Sequence, residues 1–96
     1  MPSYSSQATV QGVTADAEIQ ADRGAFYGVS IITDGAAAAE VTVYNGAVAG
    51  GKKLARIKVP ATTLFNSLIL PCRAAFASLR VVVTGAGAEA ILYHGK

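Results

Sequence analysis

The sequence predicts an all-β protein, an antiparallel β-sandwich of jelly-roll-like character with about seven or eight short strands. Three observations carry that expectation. Runs of roughly five to nine residues rich in Val, Ile, Thr, Phe and Tyr recur along the chain. Gly, Pro, Asp-Gly or Asn-Gly separates one run from the next. No stretch of about 10–15 residues with a helical period lies between them, which excludes a parallel βαβ sheet.

The elements follow in order. Residues 1–8 are Ser-rich and polar and read as a flexible N-terminal arm, and residues 9–96 as a single β-sandwich domain. Val10 to Val13 and Ala17 to Ala21 are short strand candidates, followed by a turn at Asp22-Arg23-Gly24. Ala25 to Thr33 is the strongest β run. Strict alternation places Tyr27, Val29, Ile31 and Thr33 on one face and Phe26, Gly28, Ser30 and Ile32 on the other. Gly28 inside that run signals a bulge or a close backbone approach. Asp34-Gly35 is a turn, and Ala36 to Ala39, too short to nucleate a helix, reads as a hairpin connection. Glu40 to Tyr44 alternates with Val41 and Val43 inward, and Asn45-Gly46 opens a hairpin whose loop runs on to Gly50-Gly51.

The second half repeats the pattern. Lys52 to Val59 turns Ala55, Ile57 and Val59 to one side and Leu54, Arg56 and Lys58 to the other, so the basic side chains project outward, and Pro60 ends the strand. Thr62 to Leu70 alternates, and Pro71 is expected to stop it. Arg73 to Ala77 reads as a connector with at most one helical turn. Leu79 to Thr84 is a strand with Leu79, Val81 and Val83 on one face, Gly85-Ala86-Gly87 turns the chain, and Glu89 to Tyr93 is the last strand.

Composition bounds what such a sandwich does. Hydrophobic residues are 52% of the 96 and charged residues 15%, against about 25% charged in ordinary soluble domains. Much of the apolar share is Ala and Gly, which builds thin layers rather than a thick core. Apolar surface is then left over for another chain, unless the alanines simply tolerate exposure. The net charge of +2 hides a split: before residue 50, five acids face Arg23 alone, a net of −4, and after it seven bases face Glu89 alone, a net of +6. Such a split belongs to a nucleic-acid tail or to opposite faces that meet in an assembly, unless antiparallel pairing mixes the halves and cancels the field. The N-terminus lacks the basic start and apolar stretch of a signal peptide, and no apolar run approaches the roughly 20 residues of a membrane span. The expectation is a soluble protein made in a cytoplasm, with no membrane partner.

Residues capable of chemistry are sparse. His94 is the one histidine and Cys72 the one cysteine. His94 has no His or Cys neighbour in sequence and reads as an exposed or edge histidine; Cys72, in an apolar run, reads as a small buried filler, and nothing in the sequence joins the two into a nucleophile–base pair. Asp16, Glu18 and Asp22 lie in a weak edge segment and read as a solvated face rather than as paired catalytic carboxylates. Gly50-Gly51-Lys52-Lys53 lacks the spacing of a phosphate-binding loop and reads as a hairpin tip. Lys52, Lys53, Arg56 and Lys58 with Tyr44 form a basic, partly aromatic strip of the kind single-stranded nucleic acid uses, but aromatics are only 7% of the chain, which disfavours that partner. Tyr27, Tyr44 and Tyr93 lie within strands, where packing accounts for them. The expectation is no catalysis, no cofactor and no metal.

The run from Gly24 to Tyr93 resembles a group of small tailed-bacteriophage virion proteins, those of the capsid decoration or cement type. The pattern that carries the likeness is Phe26-Tyr27-Gly28-Val29-Ser30-Ile31, then Asp34-Gly35 with small residues, Ala39 to Asn45, a Gly-rich loop, Lys53 to Pro60, and Leu79 to Ala90. The resemblance covers about three quarters of the chain, and its motifs are structural. It implies a β-sandwich that sits on the capsid surface of a virion, binds the lattice of the major capsid protein as a homo-oligomer (dimer or trimer), and bridges neighbouring subunits. The arm at residues 1–8 and the Ala47-to-Lys53 loop are the contact elements expected on that reading. A head–tail or tail-associated virion component, and a stand-alone sandwich binding glycan or nucleic acid, are the alternatives.

Overall fold

A computed structural model describes residues 9–46 and 52–95, without the side chains of residue 9 and of residues 71–73. The expected N-terminal arm, 1–8, and residues 47–51 of the loop that Asn45-Gly46 opens fall outside the described residues. Eight strands follow in chain order: β1 (Thr9–Val13), β2 (Ala17–Gln20), β3 (Gly24–Ile32), β4 (Ala39–Asn45), β5 (Lys52–Val59), β6 (Phe65–Phe76), β7 (Leu79–Thr84) and β8 (Glu89–Gly95). All pairings are antiparallel, in two four-stranded sheets. Sheet A has the order β1-β8-β3-β6 and sheet B the order β2-β7-β4-β5. The expected all-β sandwich is therefore what the chain forms.

The connectivity has a simple derivation. The pairs β4–β5, β3–β6, β2–β7 and β1–β8 nest inside one another, so the chain is one long antiparallel hairpin whose innermost described pair is Asn45 with Lys52. It is rolled so that successive nested pairs fall in opposite sheets, and the roll is closed by β3–β8 in sheet A and β4–β7 in sheet B. That is jelly-roll order. Only β4 and β5 are neighbours both in chain and in sheet. The Ala36-to-Ala39 segment, expected as a hairpin connection, is instead a crossover from sheet A to sheet B, because β3 pairs with β8 and β6 rather than with β4.

The core lies between the sheets. Val29, Ile31, Ala90 and Leu92 of sheet A face Val41, Val43, Ala55, Ile57, Val59, Leu79 and Val81 of sheet B, all buried. The alternation expected in β4, β5 and β7 holds: Val41 pairs with Ile57 and Val83, and Val43 with Ala55 and Val81. β3 departs from it. Its register slips between Phe26 and Gly28 against both neighbours. Tyr27 is the extra residue of a bulge against β8, so Phe26, expected opposite Val29 and Ile31, joins them in the core fully buried.

β6 also departs from expectation. Pro71 does not stop it, and the expected connector at Arg73 to Ala77 is largely strand. On the β3 side the ladder steps from Ile69 opposite Gly28 to Ala74 opposite Phe26. The proline falls within that slip and on an edge strand, a position where the ladder needs no donor from it. The turn before β6 docks on the end of β3: the Thr62 amide donates to the Gly35 carbonyl at 2.9 Å, and the Thr33 hydroxyl to the Thr63 carbonyl at 2.7 Å. Thr62 holds φ at +79°, an uncommon conformation for a β-branched residue.

Candidate functional site

The two outer faces of this sandwich are unlike. On sheet B the outward positions are mostly polar, with Val82 opposite Thr42 the apolar exception. Glu40 stands opposite Lys58, Thr42 opposite Arg56, and Tyr44 between Lys53 and Arg80. Glu40 pairs with Arg56 and, at 3.9 Å, with Lys58. On the far side Asp16 pairs with Arg80 at 2.9 Å, and Glu18 lies opposite Arg80 in the β2–β7 ladder. The acidic first half of the chain thus meets the basic second half at Glu40 and at Asp16. Arg56 and Lys58, expected in a basic strip, are engaged with Glu40; among the described residues Lys52 and Lys53 make no ion pair.

On sheet A the large outward side chains are mostly apolar. The ladders align Val10, Tyr93, Gly28 and Ile69 in one row, Gly12, Ile91, Ser30 and Ser67 in the next, and Glu89, Ile32 and Phe65 in the third. Val10 is 63% exposed, Ile69 62%, Phe65 56% and Ile32 41%. The row through Val10 and Ile69 dips at Gly28, which is buried between half-buried Tyr93 and exposed Ile69. Gly28 has no room for a side chain, since a Cβ there would lie 2.7 Å from the Leu68 carbonyl oxygen. Tyr93 lies over this row and its hydroxyl reaches the Ser30 hydroxyl at 3.1 Å. Glu89 is the one charged side chain in these rows.

Sequence reasoning did not single out this face. Its signal was present in the paired apolar residues Ile31-Ile32, Leu68-Ile69-Leu70 and Ile91-Leu92. In a two-layer sandwich each sheet has one covered side, so where neighbours in a strand are both large and apolar, one of them faces outward.

His94 is corrected from exposed or edge histidine to buried and central. β8 runs between β1 and β3, and His94 is 5% exposed. Nδ1 lies 2.9 Å from Oε1 of Gln20 on β2, and Nε2 lies 3.3 Å from Oε1 of Gln11 on β1. The imidazole so bridges an edge strand of each sheet. Desolvation by burial lowers its pKa, favouring the neutral ring. A neutral imidazole donates from one nitrogen only, so the other accepts from a glutamine whose amide presents its NH₂. The ring's nitrogens are both engaged in a structural clasp between the two sheets. The side chain of Cys72 lies outside the described residues.

The remaining candidates stay dispersed. Asp16, Glu18 and Asp22 are exposed, as expected of a solvated segment. No group of three or more His, Cys, Asp or Glu side chains converges among the described residues. A shallow hollow of about 500 Å³ at one end of sheet B is lined by Ala38, Ala39, Glu40, Lys58, Val59, Pro60 and Thr84. Its one charged pair is Glu40 with Lys58, already joined to each other, and it has no aromatic platform. The arrangement best equipped to do something is therefore a surface, the outer face of sheet A. No known protein family, curated protein or solved structure matches the chain.

Proposed function

We propose that this chain is a structural virion protein that decorates and stabilises a bacteriophage capsid, seated on the shell through the outer face of sheet A and bridging neighbouring subunits. One observation supports the reading above others: a jelly roll whose one outer face is largely charged and polar while the other exposes most of the large apolar side chains. Rows of large apolar side chains on one side of a small protein mark a protein-binding surface. The jelly-roll order, common to viral shell and lectin domains, supports a place in a shell by analogy of fold. The resemblance of the Gly24-to-Tyr93 pattern to decoration proteins points the same way.

Co-sedimentation of the purified protein with heads of its source virus, stripped of it, tests the proposal. Binding should saturate at a fixed ratio to the major capsid protein. Ile91→Asp, which sets a charge at the middle of the face without touching the core, should weaken it by at least about tenfold, on the order of 1.4 kcal/mol. No binding would overturn the reading, and saturation at a few copies per head would move the protein to the head–tail connection.

A further inference from the structure

Each sheet ends in two edge strands, and an edge with free hydrogen-bonding groups is a template for another strand. Three of the four edges carry the devices that blunt such pairing. β5 alternates Lys52, Lys53, Arg56 and Lys58 along its exposed positions. β2 is four residues long, with Glu18 exposed and a register slip before Gln20. β1 is five residues long. The second half of β6 has Pro71, Arg73 and its own register slip. The first half of β6, Phe65 to Leu70, has none of these. It holds no charge and no proline, and it exposes large apolar groups on both faces: Phe65 and Ile69 outward at 56% and 62%, and Leu68 on the inner side at 38%. Ile32, opposite Phe65, and Leu64, 58% exposed and packed against Gly35, extend the patch.

We propose that this half of β6 pairs with the same half of β6 in a second copy, antiparallel about a two-fold axis, so that two four-stranded A sheets become one sheet of eight. The occupant is a copy of this chain for two reasons. The strip is uncharged, so two copies meet without repulsion, and nothing in it selects a partner of either sign. It is also self-complementary: an axis through Ser67 sets Phe65 of each copy opposite Ile69 of the other, on the outer face, twice. Pairing covers the backbone edge and the flanks of Phe65, Leu68 and Ile69 while their tops stay on the sheet faces, so the seam is smaller than the ~800 Å² per partner of a standard interface, and a ladder of main-chain hydrogen bonds carries the affinity. The pairing does not depend on what the outer face binds, but it would double the width of that face.

Mass measurement in solution by light scattering or sedimentation equilibrium tests this without any particle. At up to about 100 µM, where a Kd of about 1 µM is saturated, the 9.8 kDa chain should be a dimer. Ser67→Lys and Ile69→Lys should each raise Kd at least about a hundredfold, the first by setting two ammonium groups across the axis. Ser67 is exposed, so Ser67→Lys keeps the native far-UV circular dichroism and cooperative melt and decides the matter if Ile69→Lys does not fold. Val10→Lys, equally exposed on the same face but at the β1 edge, should remain a dimer. A wild-type monomer, a trimer, a dimer indifferent to Ser67→Lys, or a dimer broken by Val10→Lys would each overturn the pairing. A dimer that fails to bind heads would leave it intact and count against the capsid reading alone.

Discussion

His94 stands where β1, β8 and β2 come together, and its ring is held by Gln11 and Gln20 with almost no access to water. Burial lowers its pKa below the ordinary 6.5, so in acid the unfolded chain takes up a proton that the folded chain resists. The clasp's contribution is therefore complete above about pH 6.5 and is lost as pH falls through the lowered folded value. Urea unfolding should show a lower midpoint at about pH 5 than at about pH 7.5, and in His94→Gln that part of the difference should vanish. A midpoint that did not fall in acid, or a fall that survived the substitution, would show that the ring is not the group responsible. None of this was legible from the residues around His94. Its burial comes from β8 lying at the centre of sheet A, which the pairing of distant strands decides, whereas the exposure of Asp16, Glu18 and Asp22 follows from their own polar, weakly β segment.

The bulge in β3 shows how one residue redirects an element. Without it Phe26 would point outward and Tyr27 inward; with it Phe26 enters the core and the row at Gly28 falls on the outer face. Gly28 has to be glycine because β6 approaches there: a Cβ would meet the Leu68 carbonyl oxygen at 2.7 Å and the Ile69 Cδ1 at 2.9 Å. Gly28→Ala should cost about 1–3 kcal/mol, the range for forcing a group into packed structure, because backbone has to move. Gly12 is the matched comparison in the same sheet. A Cβ there meets only the carboxylate end of Glu89, an exposed and flexible side chain, so Gly12→Ala should stay within about 0.5 kcal/mol. Denaturant midpoints of the two variants check the contrast, and equal costs would mean that β6 does not press on β3 at Gly28. The sequence marked Gly28 as a bulge or close approach, and alternation gave the facing of β4, β5 and β7. It did not show that β3 crosses to the other sheet rather than turning back on itself, because turn residues signal that the chain bends and not which strand it will pair with. It also misread Pro71, since proline breaks a central strand but an edge strand accommodates it.

As a whole the molecule is a thin two-layer body, 18 Å in its short dimension, with most outward charge on sheet B and most exposed large apolar side chains on sheet A. Which side does the binding has a thermodynamic signature. Contacts made by Lys52, Lys53, Arg56 and Lys58 on sheet B would weaken as salt rises, since exposed charges separated by more than about 8 Å are screened at physiological ionic strength. Contacts made by Val10, Ile32, Phe65, Ile69 and Ile91 on sheet A are carried by removal of apolar surface from water, which sulfate strengthens and sodium chloride barely changes. Both the proposed association of the chain with itself and the proposed binding to a shell should therefore hold constant or tighten between about 0.05 and 0.5 M salt, across which the Debye length shrinks severalfold. Isothermal titration should find a negative heat-capacity change for the shell interaction, the marker of apolar burial. Affinity that fell steeply with salt would place the working surface on sheet B, and the basic strip rather than the apolar face would then be the side the protein presents to its partner.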